Sequence, residues 1–324
     1  MRATKKVLSG VLMLALLAFP FVIYFNAQAL TDWWQLHGYN PPANVQELAK
    51  RDTMTASAQR VFYINHPDIE SDVGQFRSDC HENEKTIILG CYHSNQAGIF
   101  VYNVTDPRLA GVQEVTSAHE MLHAMYDRLS RSEKDNVSSM LQSYYNNGLQ
   151  DQRIIDTINS YKQSEPKDLV NEMHSIFGTE IANLPPPLEK YYSRYFINRS
   201  VVTSYAAAYQ GEFSGREDQL KSYENQLKTL KTQIDNTEQS LNSQQTKIET
   251  DRAELDSLKA DGRIGEYNSK VASFNNEVDD YNVEVQGTRT NIRTYNELVD
   301  QYNSLAHELA SLEKAIDTRT PATQ

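Results

Sequence analysis

The sequence predicts an α+β domain followed by a long antiparallel pair of helices. Three observations carry that expectation. Short runs rich in β-branched and aromatic residues lie before residue 105, and helix-period patterns dominate from about residue 113 to 205. From Phe213 onward an apolar residue recurs every seven positions. The divisions expected are therefore residues 1–30, an export segment, residues 31–210, the α+β domain, and residues 211–324, the helical pair.

The first segment opens with Arg2, Lys5 and Lys6 ahead of an apolar run from Val7 to Phe25, broken only by Ser9, Gly10 and Pro20. That length is close to what crosses a bilayer. Cations before the run and Asp32 after it place the N-terminus in the cytoplasm and the bulk of the chain outside. Ala27-Gln28-Ala29 has the small-x-small form of a signal-peptidase site, so a secreted form cleaved after Ala29 is the competing expectation. The length of the run favours a retained anchor. Both alternatives export the chain. With a net charge of −12 and no basic stripe, nucleic acid is not an expected partner.

Export gives the two cysteines a meaning. Cys80 and Cys91 are the only ones in the chain, and outside the membrane they are expected to form one disulfide between neighbouring strands. On a chain-entropy argument, closing so short a loop stabilises by about 3 kcal/mol.

Trp33 and Trp34 follow the apolar run and suit a membrane interface. Pro41-Pro42 ends any helix there. Residues 45–59 (VQELAKRDTMTASAQ) read as a helix and residues 60–65 (RVFYIN) as a strand. Residues 85–92 (KTIILGCY) and 98–104 (GIFVYNV) read as two more strands. The last of these is the expected edge along which an extended peptide adds as a further strand. Residues 105–111 (TDPRLAG) form a loop.

The next helix, about residues 113–129, carries His119-Glu120-x-x-His123. Positions four apart on a helix project on one side, so two imidazoles there can share one Zn²⁺. Glu120 is turned about 100° away, beside the ion rather than on it, where a base for water must sit. Leu122, Met125 and Leu129 gather on the opposite face, with Asp127 on the face of His123 as a supporting partner. Helices are expected over residues 132–145 and 150–161, and a short one from Pro166 to Gly178.

A catalytic zinc takes three protein ligands and keeps one position open. On the short helix Glu172 borders an apolar stripe with Leu169, Met173, Ile176 and Phe177, where a carboxylate is costly unless paired or metal-bound. Glu172 is the first choice for the third ligand and Glu180 the second. His174 lies roughly 200° round from Glu172 and is a candidate donor to a substrate oxyanion. A tyrosine from residues 191–196 (YYSRYF) is the other candidate donor, although core packing is the usual role of such a segment.

His119-Glu120-x-x-His123 with a downstream Asn171-Glu172-x-His174 resembles the zincin metallopeptidases, specifically the gluzincin type with a glutamate third ligand. No His-x-x-Gly-x-x-His continuation follows His123, which sets it apart from the metzincin branch. The resemblance implies a small zincin-like domain with a short sheet, an active-site helix and a helical subdomain. It implies zinc on His119, His123 and Glu172, with Glu120 as general base. The expected activity is hydrolysis of peptide bonds in a protein or peptide of the cell envelope. A non-catalytic envelope adaptor and a zinc-dependent cell-wall amide hydrolase are the rival expectations.

In the C-terminal third, Phe213, Leu220, Leu227, Ile234, Leu241, Ile248 and Leu255 hold the heptad, with Thr237, Gln244 and Asp251 weakening the complementary positions. Asp261-Gly262-Arg263-Ile264-Gly265 breaks the helix. A second run through Val271, Phe274, Val278, Tyr281, Ile292, Tyr295 and Leu309 follows it. An antiparallel coiled-coil hairpin is expected, serving as a spacer, an arm for a protein partner or a site of self-association.

Overall fold

The computed structural model describes residues 27–80, 87–94, 98–164 and 166–319. The architecture is α+β, mostly helical, with one three-stranded sheet and two long C-terminal helices. The apolar run 7–25 lies outside the described residues. Among the described residues no helix is long and apolar enough to cross a membrane. Two compact units are present, residues 1–211 with 315–324, and residues 212–314.

The first unit begins with α1 (27–36), α2 (Ala43–Arg51) and α3 (Ala56–Ile64). The single helix expected over 45–59 is split at residues 52–55, and the strand expected over 60–65 is helical instead. Thr55 explains the change. Its side chain caps α3 by accepting from the Ala58 amide, and Ala58, Val61 and Phe62 then fall on one buried face. β-Branched and aromatic content was the misleading signal, outweighed by a cap and a core-facing period. The break itself has a job. Met54 bridges Phe196, and Thr53, held at a φ of 51°, accepts from the Ile197 amide at 2.7 Å.

Three strands follow in the order β1 (Asp68–Glu70), β3 (Gly98–Tyr102), β2 (Gly90–His93), with β1 parallel and β2 antiparallel to β3. The three-residue β1 was not foreseen, and its presence moves β3 to the centre of the sheet. Among the described strands the edges are therefore β1 and β2, not residues 98–104. Between β1 and β2 comes α4 (Val73–Cys80). The Cys80–Cys91 disulfide forms, but it ties the end of this helix to β2 rather than joining two strands.

A short 3₁₀ turn (Pro107–Leu109) and Gly111, at a φ of 102°, lead into α5 (Val112–Asp127). Only glycine adopts that angle without strain, and a Cβ there would press on Tyr205. The helical part continues with α6 (Arg131–Asn147), α7 (Gln152–Ser164), α8 (Leu169–Glu180) and α9 (Pro186–Tyr192). A reciprocal Ser130–Glu133 capping box starts α6. Contrary to expectation α8 does not stop at Gly178. That glycine lies inside the helix where α8 crosses α5, and a side chain there would meet Leu122 and, at 2.8 Å, Tyr192. Ala118, Met121 and Leu122 of α5 and Met173, Ile176 and Phe177 of α8 form the centre of the core.

Two long helices close the chain, α10 (Arg199–Ala260) and α11 (Ile264–Ile316), joined by a turn with Gly262 at a φ of 70°. Within the second unit they exchange side-chain contacts in reversed order. Arg216 meets Glu308 at 3.5 Å, Tyr302 donates to Glu224 at 3.0 Å and Lys247 pairs with Glu277 at 2.5 Å. Where the heptad weakens at Gln244, its amide donates to Glu284. After α11 the chain rejoins the first unit. There the Thr318 hydroxyl donates to the Ile88 carbonyl at 2.6 Å, and the Arg77 guanidinium donates to the carbonyls of Thr318 and Arg319.

Candidate metal centre

Two helices build the site. The α5 face that does not enter the core carries His119 and His123, whose rings meet edge to face at 4.7 Å. Gly178 lets α8 lie close enough for Glu172 to reach them. One carboxylate oxygen, Oε1, is 3.4 Å from His123 Nε2, and the other, Oε2, is 3.6 Å from His119 Nε2. The donor atoms of the three residues all lie within 4.8 Å of one another.

The set fits a metal ion on two grounds. Ligands at about 2.0–2.1 Å from a tetrahedral zinc stand roughly 3.4 Å apart, close to both distances found here. Glu172 is buried, and its Oε2 has no hydrogen-bond partner among the described residues. A buried carboxylate oxygen without a hydrogen-bond partner, set beside two imidazoles, is a donor that a cation would satisfy. Burial pushes the Glu172 carboxyl up, but His123, His119 and a hydrogen bond from Tyr161 outweigh it and hold it below the usual carboxylate range. The third donor is therefore anionic at neutral pH.

A cleft of about 400 Å³ opens on this triad. Its walls include β2 from Gly90 to His93, Asp127 at the end of α5, and Tyr161 of α7. Glu120 lines it too, 6 % exposed, turned from the triad as the helix geometry requires. Gly90 faces it from the strand. A Cβ at residue 90 would lie 2.9 Å from both Cγ and Oε1 of Glu120 and 2.5 Å from the Thr116 methyl. Strand and helix thus approach closely enough to fix where the Glu120 carboxylate sits. Gly90→Ala is expected to displace that carboxylate and lower the rate of any reaction it serves about tenfold or more, with bound zinc unchanged. Metal analysis and turnover measured on the same preparation check this.

The structure brings together His119, Glu120, His123 and Glu172 and leaves the other candidates elsewhere. Glu180 is bonded to Arg153 and Gln210, at 2.7 and 2.8 Å, and takes no part in the triad. His174 is fully buried, its Nε2 sharing a hydrogen bond with the Tyr191 hydroxyl at 3.0 Å, and it does not line the cleft. The reason is the helix itself. Once Glu172 faces the cleft, a residue 200° further round faces the core. Burial and the nearby His123, His119 and Arg194 hold the His174 pKa well below its ordinary value, so its ring is neutral. From there it cannot donate to a substrate oxyanion. The tyrosines of residues 191–196 belong to the same buried cluster, where Tyr195 donates to Tyr191 at 2.9 Å and Tyr192 to the His174 carbonyl at 2.7 Å.

Tyr161 was not foreseen. It is one aromatic residue on an amphipathic helix, and only the fold of α7 against α8 gives it a place beside Glu172. Tyr92, on β2, has no sequence signal either, since only the approach of that strand to α5 brings it to Asp127. Its hydroxyl bonds Asp127, and burial together with that carboxylate raises its pKa.

Compared with known protein families, curated proteins and solved structures, the chain matches none.

Proposed function

We propose that this chain is a membrane-tethered, extracytoplasmic zinc metallopeptidase of the zincin type, with an antiparallel coiled-coil arm. One observation carries the reading. Two imidazole nitrogens and a carboxylate oxygen converge at ligand spacing in a cleft that also holds Glu120, a carboxylate placed to act without ligating. A purely structural zinc site is closed and needs no base beside it.

When bound, zinc supplies Lewis-acid polarisation of the scissile carbonyl and a lowered pKa for water. His119, His123 and Glu172 hold the ion, and Tyr161 orients the Glu172 carboxylate. Glu120 takes the proton from the attacking water and returns it to the leaving amine. An extended substrate lies along β2, whose outer edge is unpaired among the described strands. Gly90 leaves room there for both the substrate backbone and Glu120.

The tether is residues 7–25. Ala27–Ala29, the stretch resembling a cleavage site, lies within α1, which favours a retained anchor over a secreted form. The reversed order of contacts between α10 and α11 supports a hairpin arm that binds a protein partner or a second copy. Full-length protein in detergent is expected to bind one equivalent of zinc and to cleave an unfolded protein such as casein, with peptidoglycan left intact. Cleavage of peptidoglycan alone would make it a cell-wall amide hydrolase. Zinc binding with neither activity would leave a non-catalytic adaptor.

A further inference from the structure

Helix α1 carries a stripe of large apolar side chains that the other described residues of the first unit do not cover. Leu30, Trp33 and Trp34 are 51, 57 and 72 % exposed. Their spacing of three and four puts them on one side of the helix. The other side is fastened down. Asp32 accepts two hydrogen bonds from the Arg128 guanidinium, each 3.0 Å, the Gln35 carbonyl meets His66 Nε2 at 2.8 Å, and Tyr39 stacks on the His66 ring at 4.1 Å. A helix this firmly held, with two tryptophans facing outward, is built to present them to something.

We infer that the stripe seats α1 in the headgroup region of the bilayer, and that the Asp32–Arg128 clamp thereby fixes the attitude of the cleft to the membrane surface. Tryptophan and leucine on one face of a helix partition into that region, the indole rings at headgroup level. The chain immediately before α1 is the apolar run 7–25, so the bilayer is the apolar phase nearest to hand. Arg128 directly follows Asp127, which lines the cleft, so the helix bearing both histidines is joined to α1 by one bidentate ion pair. The inference rests on the membrane tether proposed above and is independent of the zinc chemistry.

Trp33 and Trp34 are the only tryptophans in the chain, so its intrinsic emission reports this stripe alone. Full-length protein should be reconstituted into phosphatidylcholine–phosphatidylglycerol vesicles, with bromine placed either near the headgroup or deep along the acyl chain. The expected result is blue-shifted emission, lost most strongly to the shallow bromines and protected from acrylamide. Protein that floats with the vesicles but emits red-shifted, acrylamide-quenched light unaffected by bromine overturns the inference while leaving the tether intact. Blue-shifted emission untouched by bromine also overturns it, because protein then covers the stripe. Strongest loss to the deep bromines overturns it in favour of a continued spanning helix. Protein that fails to float removes the tether and this inference together. None of these outcomes bears on peptidase activity.

Discussion

Glu120→Gln is expected to reduce turnover by about 10²–10⁴-fold, the usual worth of a positioned general base, while one zinc per chain is retained. The amide has the size of the carboxylate, so the close packing of residue 120 against Gly90 survives. What is lost is only the ability to take a proton. Because Glu120 is not among the three converging donors, the ion should stay. The loss should therefore fall on kcat and leave KM nearly unchanged, since the carboxylate acts on the attacking water and not on binding. Steady-state cleavage of a quenched fluorescent peptide, with metal content measured on the same sample, reads both quantities. Turnover within about threefold of the wild type would remove Glu120 from the mechanism, a change far below that of a lost general base.

The parts of this fold that could be read in advance are those where one local rule has no competitor. Helix α5 is legible because a five-residue motif and an apolar face agree on the same period. Glu172 is legible because a carboxylate on the edge of a packing stripe demands a partner. The rest depends on distant pairing. Residues 60–65 have strand composition, yet a threonine cap five residues upstream and contacts at residues 195–198 make them helical. The sheet edge was misjudged because β1, three residues with two acids among them, has no sequence signature. Its pairing to β3 puts that strand in the centre and leaves β1 and β2 as the edges. Gly178 looked like a helix terminator and is a contact point between α5 and α8. Glycine serves both purposes, and only the neighbouring helix decides between them. His174 lies in the core because it sits on the other side of α8 from Glu172.

Glu172→Ala separates a metal site from a salt-bridged one, because only a metal site makes the stability depend on zinc. As a ligand, Glu172 in the metal-free protein is a buried carboxylate whose Oε2 lacks a partner. Deleting it takes from the metal-free fold the pairing with His123, His119 and Tyr161 that holds its pKa down, and zinc loses a third of its protein ligands. Losing even a supporting residue of such a site costs 10–100-fold in affinity, and loss of a ligand should cost more than about 100-fold. In the wild type, free zinc at about a hundred times its Kd adds about 2.7 kcal/mol to the folded state. That increment, read as a rise in thermal midpoint on adding zinc, should disappear in the variant. Were Glu172 present only to pair with His119 and His123, its removal would lower the midpoint with or without zinc, and zinc would raise neither protein. The 3.4 and 3.6 Å separations are long for hydrogen bonds from an imidazole to a carboxylate and close to the spacing of two ligands on one zinc. An ion bound by the three donors would fit that spacing.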